Sequence, residues 1–217
     1  MKTVDCDFKG IKVAIDCANG SASRVAPKLF EGLGASCVFI HNEPDGTNIN
    51  ENCGSTHIED LQKTVVEKKC DLGLAFDGDA DRCLAVDENG QLIDGDKLLA
   101  IFSKFMRVQG KLKSNTCVVT VMSNLGFFKF AENEGINATT TAVGDRYVLE
   151  RMQKFGYNLG GEQSGHIIFL DEANTGDGEL TGVKLLEVLK KTKKKASEVA
   201  SCMECYPQVL VNVKITA

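Results

Sequence analysis

Residues 72–93 read Leu72-Gly-Leu-Ala-Phe76, Asp77-Gly-Asp79-Ala-Asp81-Arg82, Cys83-Leu-Ala-Val86, Asp87-Glu-Asn-Gly90, Gln91-Leu-Ile93. The first run is short, continuous and apolar, and it predicts a buried strand. Residues 83–86 and 91–93 predict a hairpin turning at Glu88-Asn89-Gly90. The polar loop 77–82 therefore follows directly on a buried strand.

Toward the N-terminus, residues 11–15 predict a strand, followed by a polar turn at Asn19-Gly20-Ser21. A helix then runs to about Leu33 and ends near Gly32 and Gly34. Residues 37–40 predict a second strand. Thr56 and Glu59 make a capping-box pattern, with Ile58, Leu61 and Val65 on one helical face behind it.

Toward the C-terminus a helix starts after Asp94-Gly95-Asp96, with Leu98, Leu99, Ile101, Phe102, Phe105 and Met106 as its apolar positions. The pattern then restarts. Residues 117–122 predict a strand, 125–134 a helix stopped by Gly135, and 137–141 a strand. Asp145 caps or opens a helix to about Phe155. Strands at 157–159 and 167–170 flank a glycine-rich loop, 179–189 is helical, 190–195 is a solvated basic helix end, and 208–215 is a last strand. The fold class expected is α/β: two similar domains, each a mixed β-sheet packed with helices. A boundary near residues 94–97 gives domains 1–96 and 97–205, with 206–217 trailing as a linker. The openings 11–33 and 117–134 share a strand, polar loop, helix order, which points to a repeated architecture.

Composition sets outer limits. The chain has 217 residues, 43% hydrophobic and 25% charged, with a net charge of −5. Those values exclude wholesale disorder. They also argue against a dedicated nucleic-acid binder. No run approaches a membrane-spanning length. The nine cysteines are odd in number and irregular in spacing, so they read as reduced thiols of a cytoplasmic protein. Cys202 and Cys205 form a CxxC without a second ligand pair, and they read as helix-borne thiols rather than a zinc site. His41 and His57 show no partner in the sequence and read as surface residues.

Asp77, Asp79 and Asp81 fall at i, i+2 and i+4 between small residues. Three anions this close repel unless a cation neutralises them. Oxygen-only ligands select a hard divalent ion, Mg²⁺ before Zn²⁺. Arg82 beside them suits a phosphate that also touches the metal. An EF-hand loop is a poor rival, because Arg82 stands where that loop needs glycine and the flanks read as strands.

The second motif is Gly160-Gly161-Glu162-Gln163-Ser164-Gly165-His166. Glu162, Ser164 and His166 alternate, so an extended loop would aim all three one way, toward sugar hydroxyls. The other reading is a solvated glycine-rich turn. At Val143-Gly144-Asp145-Arg146-Tyr147, Asp145 is read as an N-cap, and Arg146 either binds phosphate or carboxylate or pairs with Asp145. Ser123 and Asn124 occupy a strand-to-helix loop, a common ligand position in α/β sheets.

Together these segments resemble the α-D-phosphohexomutase superfamily. Asp77-Gly-Asp-Ala-Asp-Arg82 is similar to its metal-binding loop and Gly161-Glu-Gln-Ser-Gly-His166 to its sugar-recognition loop. Met122-Ser-Asn-Leu-Gly126, Val143-Gly-Asp-Arg-Tyr-Val148 and Gln163 narrow the resemblance to the phosphoglucosamine mutase branch. Asp45-Gly-Thr-Asn-Ile-Asn50 and Cys53-Gly-Ser-Thr56 fit the same family. The resemblance implies the second and third of four domains, plus the start of the linker to the fourth. It implies Mg²⁺ on Asp77, Asp79 and Asp81, a phosphate contact from Arg82, and hexosamine phosphate as substrate. Glu162, Ser164 and His166 would contact that substrate, as would Asp145, Arg146, Ser123 and Asn124. The family's Ser-His-Asn loop, which carries the transferable phosphate, and its Arg-x-Ser-Gly-Thr phosphate loop do not occur in these residues. The expected partners are therefore the N- and C-terminal domains that bear them, with no nucleic acid and no membrane. A haloacid-dehalogenase-type phosphatase also has an Asp-x-Asp loop after a strand, but it wants Thr or Val where Asp81 stands.

Overall fold

A computed structural model describes residues 3–209 and 211. Its first sheet contains β1 (Lys12–Asp16), β2 (Ser36–Ile40), β3 (Leu72–Phe76), β4 (Cys83–Asp87) and β5 (Leu92–Ile93), in the order β2-β1-β3-β4-β5. Strand β1 runs parallel to β2 and β3, whereas β4 is antiparallel to β3 and β5. The second sheet contains β6 (Thr116–Thr120), β7 (Asn137–Thr141), β8 (Leu159–Gly161) and β9 (Ile167–Phe169), in the order β7-β6-β8-β9. Strand β6 is parallel to β7 and β8, and β9 is antiparallel to β8. Apart from β5, the two sheets share one strand order and one set of directions. The repeat read from the two similar openings is thus a repeat of topology.

Among the described residues seven helices pack on these sheets: α1 (Ala22–Gly32), α2 (Glu59–Lys68), α3 (Gly95–Val108), α4 (Leu125–Asn133), α5 (Asp145–Phe155), α6 (Gly178–Thr192) and α7 (Ala196–Ala200). Every residue of β3 is buried, so the strand needs cover on both faces. Leu61 and Val65 of α2 cover one face, against Ala14, Ala75 and Val86. On the other face Val13, Ile15, Leu74 and Phe76 join a cluster with Phe30, Leu98, Phe102 and Leu186, and it continues into Val119, Phe127 and Ile167 of the second sheet. Helices α1, α3, α4 and α6 thus fill one apolar seam shared by both sheets. Val148 and Met152 of α5 cover the far face of the second sheet, on Val118 and Ile168. Helix α6 follows the second sheet in sequence yet packs on β3 and β4 of the first.

Several local expectations change. Helix α2 starts at Glu59 with Ile58 as its N-cap, and Thr56 lies in a 3₁₀ turn with its hydroxyl 3.2 Å from His57 Nδ1, so there is no capping box. Asp16 accepts the Gly54 N–H at 2.9 Å and fixes that turn before the helix begins. Strand β8 starts at Leu159 rather than at residue 157, because Asn158 is tied by its side chain to Lys111, Lys113 and Asp171. The short helix α7 was not legible in the pattern. Lys191 is not merely solvated: it pairs with Asp5 at 2.8 Å and Glu187 at 2.6 Å. Cys202 and Cys205 lie after α7 in no helix, which corrects the helix-borne reading; all nine thiols are free. Of the expected last strand, Gln208, Val209 and Val211 are in no regular element, and the rest lies outside the described residues.

Candidate active site

The carboxylate loop leaves the end of β3 and returns into β4. Ala80 adopts a left-handed backbone (φ 60°), which curls the loop, and one carboxylate oxygen each of Asp77, Asp79 and Asp81 fall within 4.8 Å of one another. Asp77 is the least exposed; its Oδ1 accepts the Arg82 N–H at 3.2 Å. Burial pushes its carboxyl pKa up, and the negative charges of Asp81 and Asp79 push the same way. Arg82 Nε stands 3.7 Å from Asp77 and 3.8 Å from Asp81, which offsets only part of that charge. A hard, oxygen-seeking cation fits this cluster: the donors are all carboxylate, they converge, and they are under-neutralised.

The second motif occupies the equivalent place in the second sheet, between β8 and β9. It is not extended. Gly165 N–H donates to Glu162 O at 3.0 Å, closing a turn, and Gly165 has φ 94°, with room for no β-carbon, which would stand 2.5 Å from the Cys83 carbonyl oxygen. The alternation therefore fails, and the three side chains diverge. Ser164 is exposed. Glu162 Oε1 accepts the Gly144 N–H at 2.9 Å. His166 turns inward and is only 4% exposed. Its Nδ1 lies 3.1 Å from Asp81 Oδ2, and its Nε2 accepts the Gly176 N–H at 3.1 Å.

The two equivalent loops are hydrogen-bonded to each other. Arg82 and His166 form an antiparallel bridge, and Cys83 N–H donates to Gly165 O at 3.0 Å. Gly178 N–H donates to Ala80 O at 2.9 Å, so the start of α6 closes over both. Asp145 opens α5 behind the cap residue Gly144, and its carboxylate is 3.9 Å from His166 Nε2. Arg146 is largely exposed and pairs with Glu150 at 2.8 Å, not with Asp145. Asn124 caps α4: its Oδ1 accepts from Gly126 and Tyr206, and its Nδ2 donates to Tyr206 O. Ser123 is buried beside Asp96.

Sequence reasoning missed two groups here. Gly176, Asp177 and Gly178 hold His166 and cap α6, with Asp177 accepting the Leu180 N–H at 2.8 Å; the signal available was a Gly-Asp-Gly before a helical run. His41 is not a bare surface residue, because its Nδ1 lies 3.0 Å from the buried Asp16 carboxylate. Among the described residues no helix is long and apolar enough to cross a membrane.

The arrangement sets a carboxylate cluster that would suit a cation, a guanidinium and a polar turn side by side, a combination that suits a phosphorylated polyol. Comparison with known proteins agrees with this geometry. The model for the phosphoglucomutase/phosphomannomutase α/β/α domain II matches residues 3–90, and that for domain III matches residues 94–206. A phosphoglucosamine mutase from Acetivibrio thermocellus is 60% identical over 99% of this chain, which spans 48% of that protein. A phosphoglucomutase/phosphomannomutase family protein from Burkholderia thailandensis superposes with a TM-score of 0.79 at 25% identity, over 92% of this chain and 43% of that one. The fold also matches Aspergillus fumigatus N-acetylphosphoglucosamine mutase in complex with GlcNAc-6P and magnesium, at TM-score 0.74 and 18% identity over 92% of this chain and 47% of that one. This chain thus spans about half the length of such relatives. Two domain models matched in order, on two sheets joined through their equivalent loops, establish that the chain belongs to the phosphoglucomutase/phosphomannomutase family and comprises its domains II and III.

Proposed function

We propose that this chain is the metal- and sugar-binding half of a phosphoglucosamine mutase, which interconverts glucosamine 6-phosphate and glucosamine 1-phosphate. The observation that carries this reading is the bonding of the carboxylate loop to the Glu162–His166 turn, which sets a cation site beside a hydroxyl-binding turn. The relative at 60% identity bears that enzyme's name, and the Aspergillus structure contains magnesium and a hexosamine phosphate.

In this reading Asp77, Asp79 and Asp81 hold Mg²⁺, and Arg82 swings from Asp77 and Asp81 to a phosphate oxygen. The bound ion would neutralise charge on a phosphoryl group in transit between a phosphoserine and the sugar through a bisphosphate. Glu162 and Ser164 meet sugar hydroxyls. His166 serves by aiming Asp81 rather than by touching sugar, since both its ring nitrogens are engaged. Asp145 and Arg146 border the same opening, with Ser123 and Asn124 shaping the loop behind it. The domains run as 1–96 for the metal loop and 97–205 for the sugar turn, with 206–217 leading onward.

The phosphoserine and the distal phosphate clamp belong to neighbouring domains in this reading, and they are the partners of this chain. In-line transfer needs all these parts fixed together. Nine free thiols and no disulfide fit a cytoplasmic setting. The test is an assay of the protein at the length of its relatives. Turnover of glucosamine 6-phosphate, lost in Asp79→Ala and absent from the 217-residue chain alone, is the expected result. Preference for glucose or mannose phosphates would move the assignment to another branch. Sustained turnover by the isolated chain would overturn the division of labour.

A further inference from the structure

A second cluster of metal-ligating groups lies where the ends of β1 and β2 meet the 3₁₀ turn. Asp16, His41 and Cys53 each place one ligand atom within 4.8 Å of the others. They come from three separate segments: the last residue of β1, the residue after β2, and the start of the 3₁₀ turn. We propose that Asp16 Oδ2, His41 Nδ1 and Cys53 Sγ form a binding site for a borderline-soft divalent cation of the zinc class, distinct from the all-carboxylate site.

The donor set makes the case. One oxygen, one nitrogen and one sulfur suit zinc and cobalt, and they suit magnesium poorly. Metal–ligand bonds of about 2.0–2.3 Å set tetrahedral ligand atoms about 3.3–3.6 Å apart. Asp16 Oδ2 and His41 Nδ1 are 3.0 Å apart, so a few tenths of an ångström of opening admits the ion.

The surroundings are built for it. Asp16 and Cys53 are fully buried, and Asp16 is held by the Ala18 and Gly54 N–H groups, each at 2.9 Å. His41 Nε2 faces Asp60 at 3.5 Å, the carboxylate behind an imidazole that commonly orients a metal-bound histidine. Asn19 Nδ2 points at Cys53 Sγ from 4.0 Å. The His41 side chain is 25% exposed, which leaves an entry path and a position for a water ligand.

Binding balances simply. The Cys53 thiol releases its proton to water. The imidazole gives up its Nδ1 proton and carries one on Nε2 instead, where the N–H donates toward Asp60. Carboxylate and thiolate then neutralise the dication. The ion would clamp the segment that carries Ile49 and Asn50 over Gly78, the first spacer of the carboxylate loop.

The test is a cobalt(II) titration of the purified 217-residue chain in the presence of excess Mg²⁺. A thiolate-to-cobalt charge-transfer band saturating at one ion per chain is expected. It should persist in Asp79→Asn and in the Cys202→Ser/Cys205→Ser double variant, and vanish in Cys53→Ser. His41→Gln, at a partly exposed side chain, guards against a misfolded Cys53 variant and should weaken cobalt binding at least tenfold with an unchanged circular dichroism spectrum. No band in the parent chain, or a band that survives Cys53→Ser, overturns the proposal.

Discussion

His166 Nδ1 lies 3.1 Å from Asp81 Oδ2, so a side chain of the second domain aims a carboxylate of the first. The Gly176 N–H can only donate, which makes Nε2 the acceptor and leaves the proton on Nδ1, toward Asp81. The carboxylate loop is therefore oriented from across the domain seam, by a residue 85 positions away.

Removing that imidazole should loosen Asp81 without unfolding the chain. His166→Ala is expected to weaken Mn²⁺ or Mg²⁺ binding about tenfold or more, in line with other groups that orient metal ligands. Electron paramagnetic resonance of bound Mn²⁺ measures it. Equal affinity in parent and variant would show that Asp81 holds its aim unaided.

The three aspartates should separate by burial. Asp79 is exposed, so Asp79→Asn should abolish Mn²⁺ binding at the carboxylate loop and change stability by no more than about 0.5 kcal/mol. Asp77 accepts the Arg82 N–H, so Asp77→Ala should also cost about 1–2 kcal/mol of stability. Denaturant melts without metal, beside Mn²⁺ titrations, distinguish the two; equal melts would contradict the assignment of Asp77 as a loop anchor.

Asp96 gives a pH signature. It is fully buried at the start of α3, accepts the Asn124 N–H at 2.7 Å, and burial pushes its pKa from 3.8 up to about 6. Between those values the folded chain keeps a proton that the unfolded chain has released, so stability falls as pH rises through that window. The shift of about two units corresponds to about 3 kcal/mol at most. Asp96→Asn stays neutral and can still accept from Asn124. It should melt higher than the parent above pH 7, with the gain shrinking toward pH 4. A gain that is constant with pH would rule out ionisation as its cause.

Gly95 tests the seam itself. A β-carbon there would stand 2.1 Å from the Glu162 carbonyl and 2.7 Å from that of Gln163. Gly95→Ala should therefore destabilise by about 1–3 kcal/mol, the usual range for forced overpacking. It should also weaken binding of a sugar phosphate by shifting the Glu162 turn. Thermal melts and isothermal titration check the two effects separately.

The carboxylate site was legible because spacing alone brings Asp77, Asp79 and Asp81 together: a short curl between strands leaves them little choice. The Gly160–His166 turn was legible as a motif but not in its directions. Gly165, with φ 94°, breaks the alternation that would have aligned Glu162, Ser164 and His166, and whether such a glycine sits in an extended or a turned loop is decided by what it packs against, here Cys83. The Asp16–His41 pair was invisible for a different reason: β1 and β2 are parallel neighbours, so their ends meet only once the intervening helix has crossed over. The cap at Thr56 failed because Gly54 is bound to that same Asp16, a tertiary bond that outranks a local pattern. Strand and helix order survived, since continuous apolar runs and helical periodicity depend least on distant partners.

The return of α6 onto β3 and β4 has a consequence for biosynthesis. One face of the first sheet is completed by a helix that the ribosome delivers only after the whole second sheet has been made. Until then Leu74 and Phe76 lack part of their final cover, and the nascent chain must carry an open apolar face while about a hundred residues between β3 and α6 are made. The seam is in this sense a late stitch: neither domain is finished before the other has emerged, and the pair matures as a single event.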